Sequence, residues 1–173
     1  IDKDTSGLMV VAKTDAAHQS LAEQFADHSL ERAYLAIVRG RPNPPEATID
    51  FAIGRNPRNR KKMAVVGRGG KEAVTHFRTI KRLGDIASLV ECRLETGRTH
   101  QIRVHMTHIG HPLIGDPVYG RSWRTKTLAT DIRDALQKFS RQALHAYVIG
   151  FRHPVTEEEI RFESPLPADM VAL

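Results

Sequence analysis

Between residues 33 and 95 the chain runs through short apolar stretches separated by Pro, Gly or Asn-Pro turns, and this punctuation constrains the fold more than any other feature. The stretches are 33–40 (AYLAIVRG), 48–54, 61–66, 71–82 and 86–95, each of strand length. Strands joined by turns rather than by crossover helices pair antiparallel, so this region predicts a largely antiparallel sheet. Ahead of it, residues 7–13 (GLMVVAK) read as a buried strand. Thr14 or Asp15 then caps a helix whose Ala17, Leu21 and Phe25 recur at helical spacing. Behind it, residues 100–109 read as a short helix ended by Gly110, and 131–139 as another, with Ile132, Ala135, Leu136 and Phe139 on one apolar face. Two late strands follow at 144–152 and 159–163. With no repeat, linker or shift of composition across 173 residues, the pattern predicts one α+β domain around one mixed sheet.

Composition narrows the class. At 40% hydrophobic and 27% charged residues the chain has the apolar surface to offset chain entropy, which excludes a disordered segment. No apolar run approaches the roughly 18 residues of a membrane span. The single cysteine, Cys92, lies in an apolar run, so it forms no intrachain disulfide or thiolate cluster and reads as a small core residue. That usage and the lack of a signal peptide predict a reducing cytoplasm. The first residues are Ile-Asp rather than Met and lead straight into an apolar segment, so a longer natural protein with upstream strands is expected. A monomer is the expectation for oligomeric state, since no heptad seam is present.

A net charge of +6 and a pI near 9.8 favour polyanionic partners. The distribution is more telling than the sum. Residues 54–72 (GRNPRNRKKMAVVGRGGKE) carry Arg55, Arg58, Arg60, Lys61, Lys62, Arg68 and Lys71 before their first acid. Arg and Lys among Gly-rich bends suit contact with a phosphate backbone, the plain alternative being a solvated charged hairpin. Nucleic acid is therefore the leading partner class.

The densest polar segment is 95–119 (ETGRTHQIRVHMTHIGHPLIGDPVY). Arg98 precedes the predicted helix, where backbone N–H groups favour anions. Arg103 lies about one turn inward and can face a different partner such as a carboxylate. His105, His108 and His111 recur every three residues with His100 before them, which raises a metal site. However, Gly110-His111-Pro112 leaves the helix, no cysteine accompanies them and Asp116 is the only near acid, so packing and RNA contacts are the better reading and no metal is predicted.

Asp2 and Asp4 lie two apart, and in an extended backbone both would point to one side with Cα atoms roughly 6.5 to 7 Å apart. Paired carboxylates permit glycosidic chemistry, although acids before Thr5-Ser6-Gly7 also serve turns and caps. Tyr34 opens an apolar strand, either as a satisfied core tyrosine or as a ring that stacks on an extruded base. Trp123, between Arg121 and Arg124, reads as a loop aromatic and is assigned no role.

These segments together resemble a known family. Residues 2–8 (DKDTSGL) with VVAK after them are similar to the catalytic motif of the RluA family of RNA pseudouridine synthases, in which His-Arg normally precedes the motif. Residues 31–40 (ERAYLAIVRG) resemble the strand bearing that family's active-site tyrosine, and 94–120 resemble its TGRTHQIRVHM…GHPLIGDPVYG block. The RQALHA segment at 141–146 and the closing FESPLPADM at 162–170 extend the likeness over nearly the whole chain, closest to the RluD-like branch acting on large-subunit ribosomal RNA. The resemblance implies that Asp2 is the catalytic aspartate, Tyr34 the tyrosine at the target base and Arg103 the arginine paired with Asp2. It implies an α+β catalytic domain over 1–173, with a mixed, mostly antiparallel sheet split by a central cleft and flanked by helices, and an S4-like domain upstream in many members. The activity implied is isomerisation of uridine to pseudouridine, most simply in 23S ribosomal RNA, with transfer RNA as the alternative target. RNA contacts are expected from Arg55, Arg58, Arg60, Lys61, Lys62, Arg98 and His100. No metal or nucleotide cofactor is expected, because no redox step or group donor enters the reaction. Asp2's place at the very start predicts fraying unless it is tied down, and upstream residues are the expected clamp. Two rivals remain: an inactive RNA-binding module of the same fold, and a hydrolase using Asp2 and Asp4.

Overall fold

The computed structural model describes residues 1–120 and 128–173, so Trp123 and its flanking arginines lie outside the described residues. The elements are β1 (Ser6–Gly7), α1 (Asp15–Ala26), β2 (Glu31–Arg39), β3 (Glu46–Asp50), β4 (Ile53–Arg55), β5 (Met63–Val65), β6 (Val74–Leu83), β7 (Ala87–Leu94), α2 (Gln101–His108), α3 (Thr130–Lys138), β8 (Leu144–Arg152), β9 (Glu159–Glu163) and α4 (Ala168–Val171). The main sheet has the order β1-β8-β2-β7-β6-β3, with β9 also on β8. Only the β1–β8 pair is parallel; every other pairing among the described residues is antiparallel. The α+β reading therefore holds.

β2 is apolar on consecutive residues because helices cover both faces of the sheet there. Ala36 and Val38 point into a cluster with Ile49, Phe77, Val90, Cys92 and Leu144, closed by Ile102 and Met106 of α2. Ile37 points the other way, toward Ile114, Phe139 and Met170, with Leu136 of α3 packed alongside. Alternation along a strand sends neighbours to opposite faces. Each fully buried side chain of this size stabilises the fold by about 1.5–3 kcal/mol. Cys92 is fully buried and its thiol is pushed up to about 12 by desolvation, then by Glu91, which makes it the inert core residue expected. No helix among the described residues is long and apolar enough to cross a membrane.

Two expectations need correction. Residues 7–13 are not a buried strand: pairing ends with Ser6 and Gly7 opposite His145 and Ala146, and Met9 and Val11 are 65% and 70% exposed. The reason is competition for one edge. β2 occupies one side of β8, and beyond Ala146 the other side is taken by β9, paired from Val148 to Arg152. After the Leu8 N–H reaches the Ala146 carbonyl at 2.8 Å, the segment has no ladder to join. Second, residues 48–54 are not one strand and the sheet is not alone. The chain breaks at Phe51 and Ala52, leaving β3 in the main sheet and β4 in a separate two-stranded sheet with β5. Ile49 belongs to the main core whereas Ile53 joins Ala73 and Val104, and one straight strand cannot serve both clusters.

The start of the chain is anchored by a close approach. Gly7 has φ +107°, and a Cβ there would meet the Ala146 carbonyl oxygen at 2.1 Å, so only glycine lets β1 lie this tightly on β8. Thr14 is the N-cap of α1, its hydroxyl accepting from the Ala17 N–H, as the sequence predicts.

Candidate active site

A cleft of about 470 Å³ opens over β2 and β8, bounded by the N-terminal segment on one side and the loop into α2 on the other. The pairing of β2 with β8 shifts register between Ala33 and Tyr34, an irregularity of the kind that re-aims side chains beside sites. Asp2, Arg32, Tyr34, Arg98, His100 and Arg103 all line this space.

Asp2 sits in a turn, not on an extended strand. The Thr5 N–H donates to the Asp2 carbonyl at 3.0 Å and Asp4 has φ +66°, so the expected side-by-side arrangement of Asp2 and Asp4 is not formed. Asp2 and Thr5 line the cleft; Asp4 is exposed and does not. The turn is tied down from within the chain. Gln142, buried beside the turn, donates through Nε2 to the Lys3 carbonyl at 2.6 Å and to Thr5 Oγ1 at 3.1 Å, and Ser6 Oγ meets His145 Nδ1 at 3.0 Å.

Arg103 projects from the first turn of α2 between two carboxylates. Its Nη1 donates to Asp2 Oδ2 at 3.1 Å, while Nε and Nη2 grip Asp116 Oδ2 and Oδ1 at 2.8 and 3.1 Å. The side chains are 4% exposed for Arg103, 22% for Asp2 and 0% for Asp116. Asp116 accepts in addition from the Val118 and Tyr119 N–H groups. Burial alone would raise the Asp116 carboxyl, but these donors outweigh it and hold the group below the usual carboxylate range. Burial works against the charge on Arg103 too, and Asp116 and Asp2 more than restore it. The fork thus aims one N–H pair at a deep acid and leaves a third donor for Asp2. The Arg103 guanidinium also lies 5.2 Å from the centroid of the Tyr119 ring.

Tyr34 is half-buried on the cleft wall. Desolvation raises its phenol, with Arg32 opposing and Asp2 adding to the shift, so the ring is neutral at physiological pH. His100 precedes α2 in the left-handed region, φ 58°, and its Nδ1 shares a 2.9 Å hydrogen bond with the Tyr119 hydroxyl. Burial first and Arg103 second push its pKa down, which favours the neutral imidazole. Arg98 lines the cleft but aims its Nε at the Glu72 carbonyl, 2.8 Å away.

The basic residues divide. Arg55, Arg58, Arg60 and Lys61 are exposed around the β4–β5 hairpin, where Asn56 Oδ1 caps the turn by accepting from the Arg58 and Asn59 N–H groups. Lys62 is half-buried and donates to the Val118 carbonyl at 2.8 Å, so it tethers the hairpin rather than standing open to a ligand. The histidine spacing of three also resolves as packing at two positions. His105 is fully buried with Thr75 Oγ1 and the Phe51 carbonyl on its ring nitrogens, and His111 Nδ1 bonds the Arg39 carbonyl. Among the described residues no three His, Cys, Asp or Glu side chains converge as metal ligands. Sequence reasoning missed Asp116 as the anchor of Arg103, Gln142 as the clamp of the Asp2 turn, and Arg32.

The fold is shared with solved structures. Human RNA pseudouridylate synthase domain containing 1 superposes with TM-score 0.76 at 32% identity, over 95% of this chain and 66% of that one. The human domain-containing-4 protein gives 0.77 at 27% identity, over 99% and 71%. The pattern of the RNA pseudouridylate synthase family matches residues 1–108, and the chain belongs to that family. It is 56% identical to ribosomal large subunit pseudouridine synthase D of Zymomonas mobilis and 49% identical to the protein of that name in Pseudomonas aeruginosa, in each case over all of this chain and 53% of the relative. An uncharacterized RNA pseudouridine synthase of Bacillus subtilis, YlyB, is 52% identical over 52% of its length. The chain thus spans about half the length of the curated relatives it matches. These likenesses place it with the RluD-like members of the RluA family.

Proposed function

We propose that this chain isomerises uridine to pseudouridine in RNA, with large-subunit ribosomal RNA as the substrate and Asp2 as the working carboxylate. The observation that carries the reading is the Asp2 carboxylate paired with Arg103 inside a cleft also lined by Tyr34. The reaction detaches uracil at N1, turns it and rejoins it through C5, so the site must keep the base and exclude water. Asp2 either adds to the sugar or takes the ribose 2′ proton to give a glycal; in both routes the negative charge must be aimed at the ribose, which is Arg103's task. A stacked uridine reaches Asp2 only by leaving the helix or loop, at a cost of a few kcal/mol that Tyr34 and the basic surface offset. Nothing in this scheme calls for a redox or group-donating cofactor. The protein acts as a monomer in the cytoplasm, where its substrate is made.

The test is incubation with unmodified ribosomal RNA followed by carbodiimide treatment and primer extension. The expected product is a mass-neutral isomer at defined uridines. Release of free uracil with an abasic site would instead support a hydrolase, a reading weakened by Asp4 standing outside the cleft. RNA binding with no product at all would support the inactive module.

The hairpin carries its own prediction. Replacing Arg58, Arg60 and Lys61 by Ala weakens RNA binding and flattens the dependence of log affinity on log salt by about 0.7 for each single-strand phosphate that is no longer neutralised. An unchanged slope returns the hairpin to a solvated surface.

A further inference from the structure

We infer that Arg32 is the residue that grips an RNA phosphate beside the everted uridine, a reading that rests on the proposed function above. Arg32 stands two residues before Tyr34 on β2 and lines the same cleft. Its Nε is buried and has no hydrogen-bond partner among the described residues, and no acid among them pairs with it. The one acceptor it reaches among those residues is the Glu95 carbonyl, at 3.5 Å from Nη2. A guanidinium has donors on every edge and no acceptor, and leaving one buried without a partner is unfavourable by enough that native structures rarely tolerate it away from a ligand site.

The neighbouring cleft arginines are already engaged. Arg103 is shared between two carboxylates, and Arg98 Nε is bound to the Glu72 carbonyl. Arg32 is the one of these three with a buried donor left unmet, and it stands on the wall that carries Tyr34, opposing the burial-driven rise of the Tyr34 phenol. Its position is preset from both sides: the guanidinium carbon lies 5.3 Å from the Phe25 ring centroid, and Nη1 lies so near Gly97 that a Cβ there would come within 2.7 Å. A planar fork held over a ring and against bare backbone is preorganised for a planar or tetrahedral oxyanion. In RNA the oxyanion within reach of an everted nucleotide is the phosphodiester next to it. The base carbonyls are neutral and the ribose offers only hydroxyls.

The experiment compares the unsubstituted chain with Arg32→Gln, Arg32→Lys and Phe25→Leu, measuring RNA affinity across salt concentrations, turnover and Tm. Arg32→Gln is expected to weaken binding about tenfold or more, to reduce the salt slope by about 0.7 and to raise KM with kcat little changed, the pattern of lost uniform binding. Arg32→Lys should recover the slope but only part of the affinity, since charge is kept and the fork is lost. Phe25→Leu should retain the slope. Weaker binding at an unchanged slope would mean a neutral acceptor and overturn the inference. A lowered Tm with unchanged binding in Arg32→Gln would make Arg32 a tether for α1, and likewise overturn it. Failure of the unsubstituted chain to bind or modify RNA would remove the proposed function itself, whereas normal activity with an indifferent Arg32→Gln removes only this inference.

Discussion

Asp2→Asn should lower single-turnover conversion of uridine by on the order of 10⁴-fold or more while leaving RNA binding intact. The change is isosteric. Asn keeps an oxygen for the Arg103 Nη1 hydrogen bond, now 3.1 Å long, and the turn is held through the backbone carbonyl of residue 2 and by Gln142 on Lys3 and Thr5, none of which involves the carboxylate. What disappears is the negative charge that the proposed function assigns to attack on the sugar or removal of its proton. Removing an anion from the cleft proposed to receive RNA should leave affinity equal or slightly tighter. Primer-extension mapping and a binding titration on the same samples separate the two effects. Equal conversion by Asp2→Asn and the parent chain would take Asp2 out of the mechanism.

The second large effect is expected at a buried residue that does not line the cleft. Asp116→Asn should destabilise the fold by about 3–5 kcal/mol, the usual loss when one partner of a buried pair is removed. For a domain of this size that is on the order of 10 °C in Tm. An Asn oxygen in the place of Oδ1 still accepts from the Val118 and Tyr119 N–H groups, but its amide nitrogen would face Arg103 Nε donor to donor. Arg103 would then be free to swing away from Asp2, so conversion should fall along with stability.

The same pair sets an acid limit. The folded Asp116 carboxyl titrates below its ordinary 3.8, so its contribution is complete at pH values above that and is lost as pH falls through the lower folded value. Asp116→Asn should therefore flatten the stability profile on the acid side while lowering it at neutral pH. A variant with unchanged Tm at pH 7 would show that the Asp116–Arg103 pair is energetically idle.

Much of this is legible in the sequence. Strand-length runs between Gly and Pro turns specified β2, β5, β6, β7, β8 and β9 to within a few residues, because local propensity and burial agree there. Thr14 and Gly110 marked helix ends through capping chemistry that operates within a turn. The spacing of Arg98 and Arg103 put the latter a turn inward, and the likeness of residues 2–8, 31–40 and 94–120 to one family named Asp2, Tyr34 and Arg103 together. Asp116 was not legible as an anchor: between Gly115 and Pro117 it reads as a turn residue, and nothing local says which arginine it will meet. Lys62 looked like its exposed neighbours, since a run of charge does not reveal which member folds back on a carbonyl.

What the chain determines by itself is the set of short-range choices: where strands and helices begin, which residues are apolar, and which charges it owns. Tertiary structure decided what depends on competition and convergence. β9 won the edge of β8 that residues 8–13 would otherwise have extended along, because a strand edge can pair only once along its length. Likewise Asp2, Arg103, Asp116 and Gln142 meet across as many as 139 positions. No periodicity encodes contacts that form only when separate elements close on a common core.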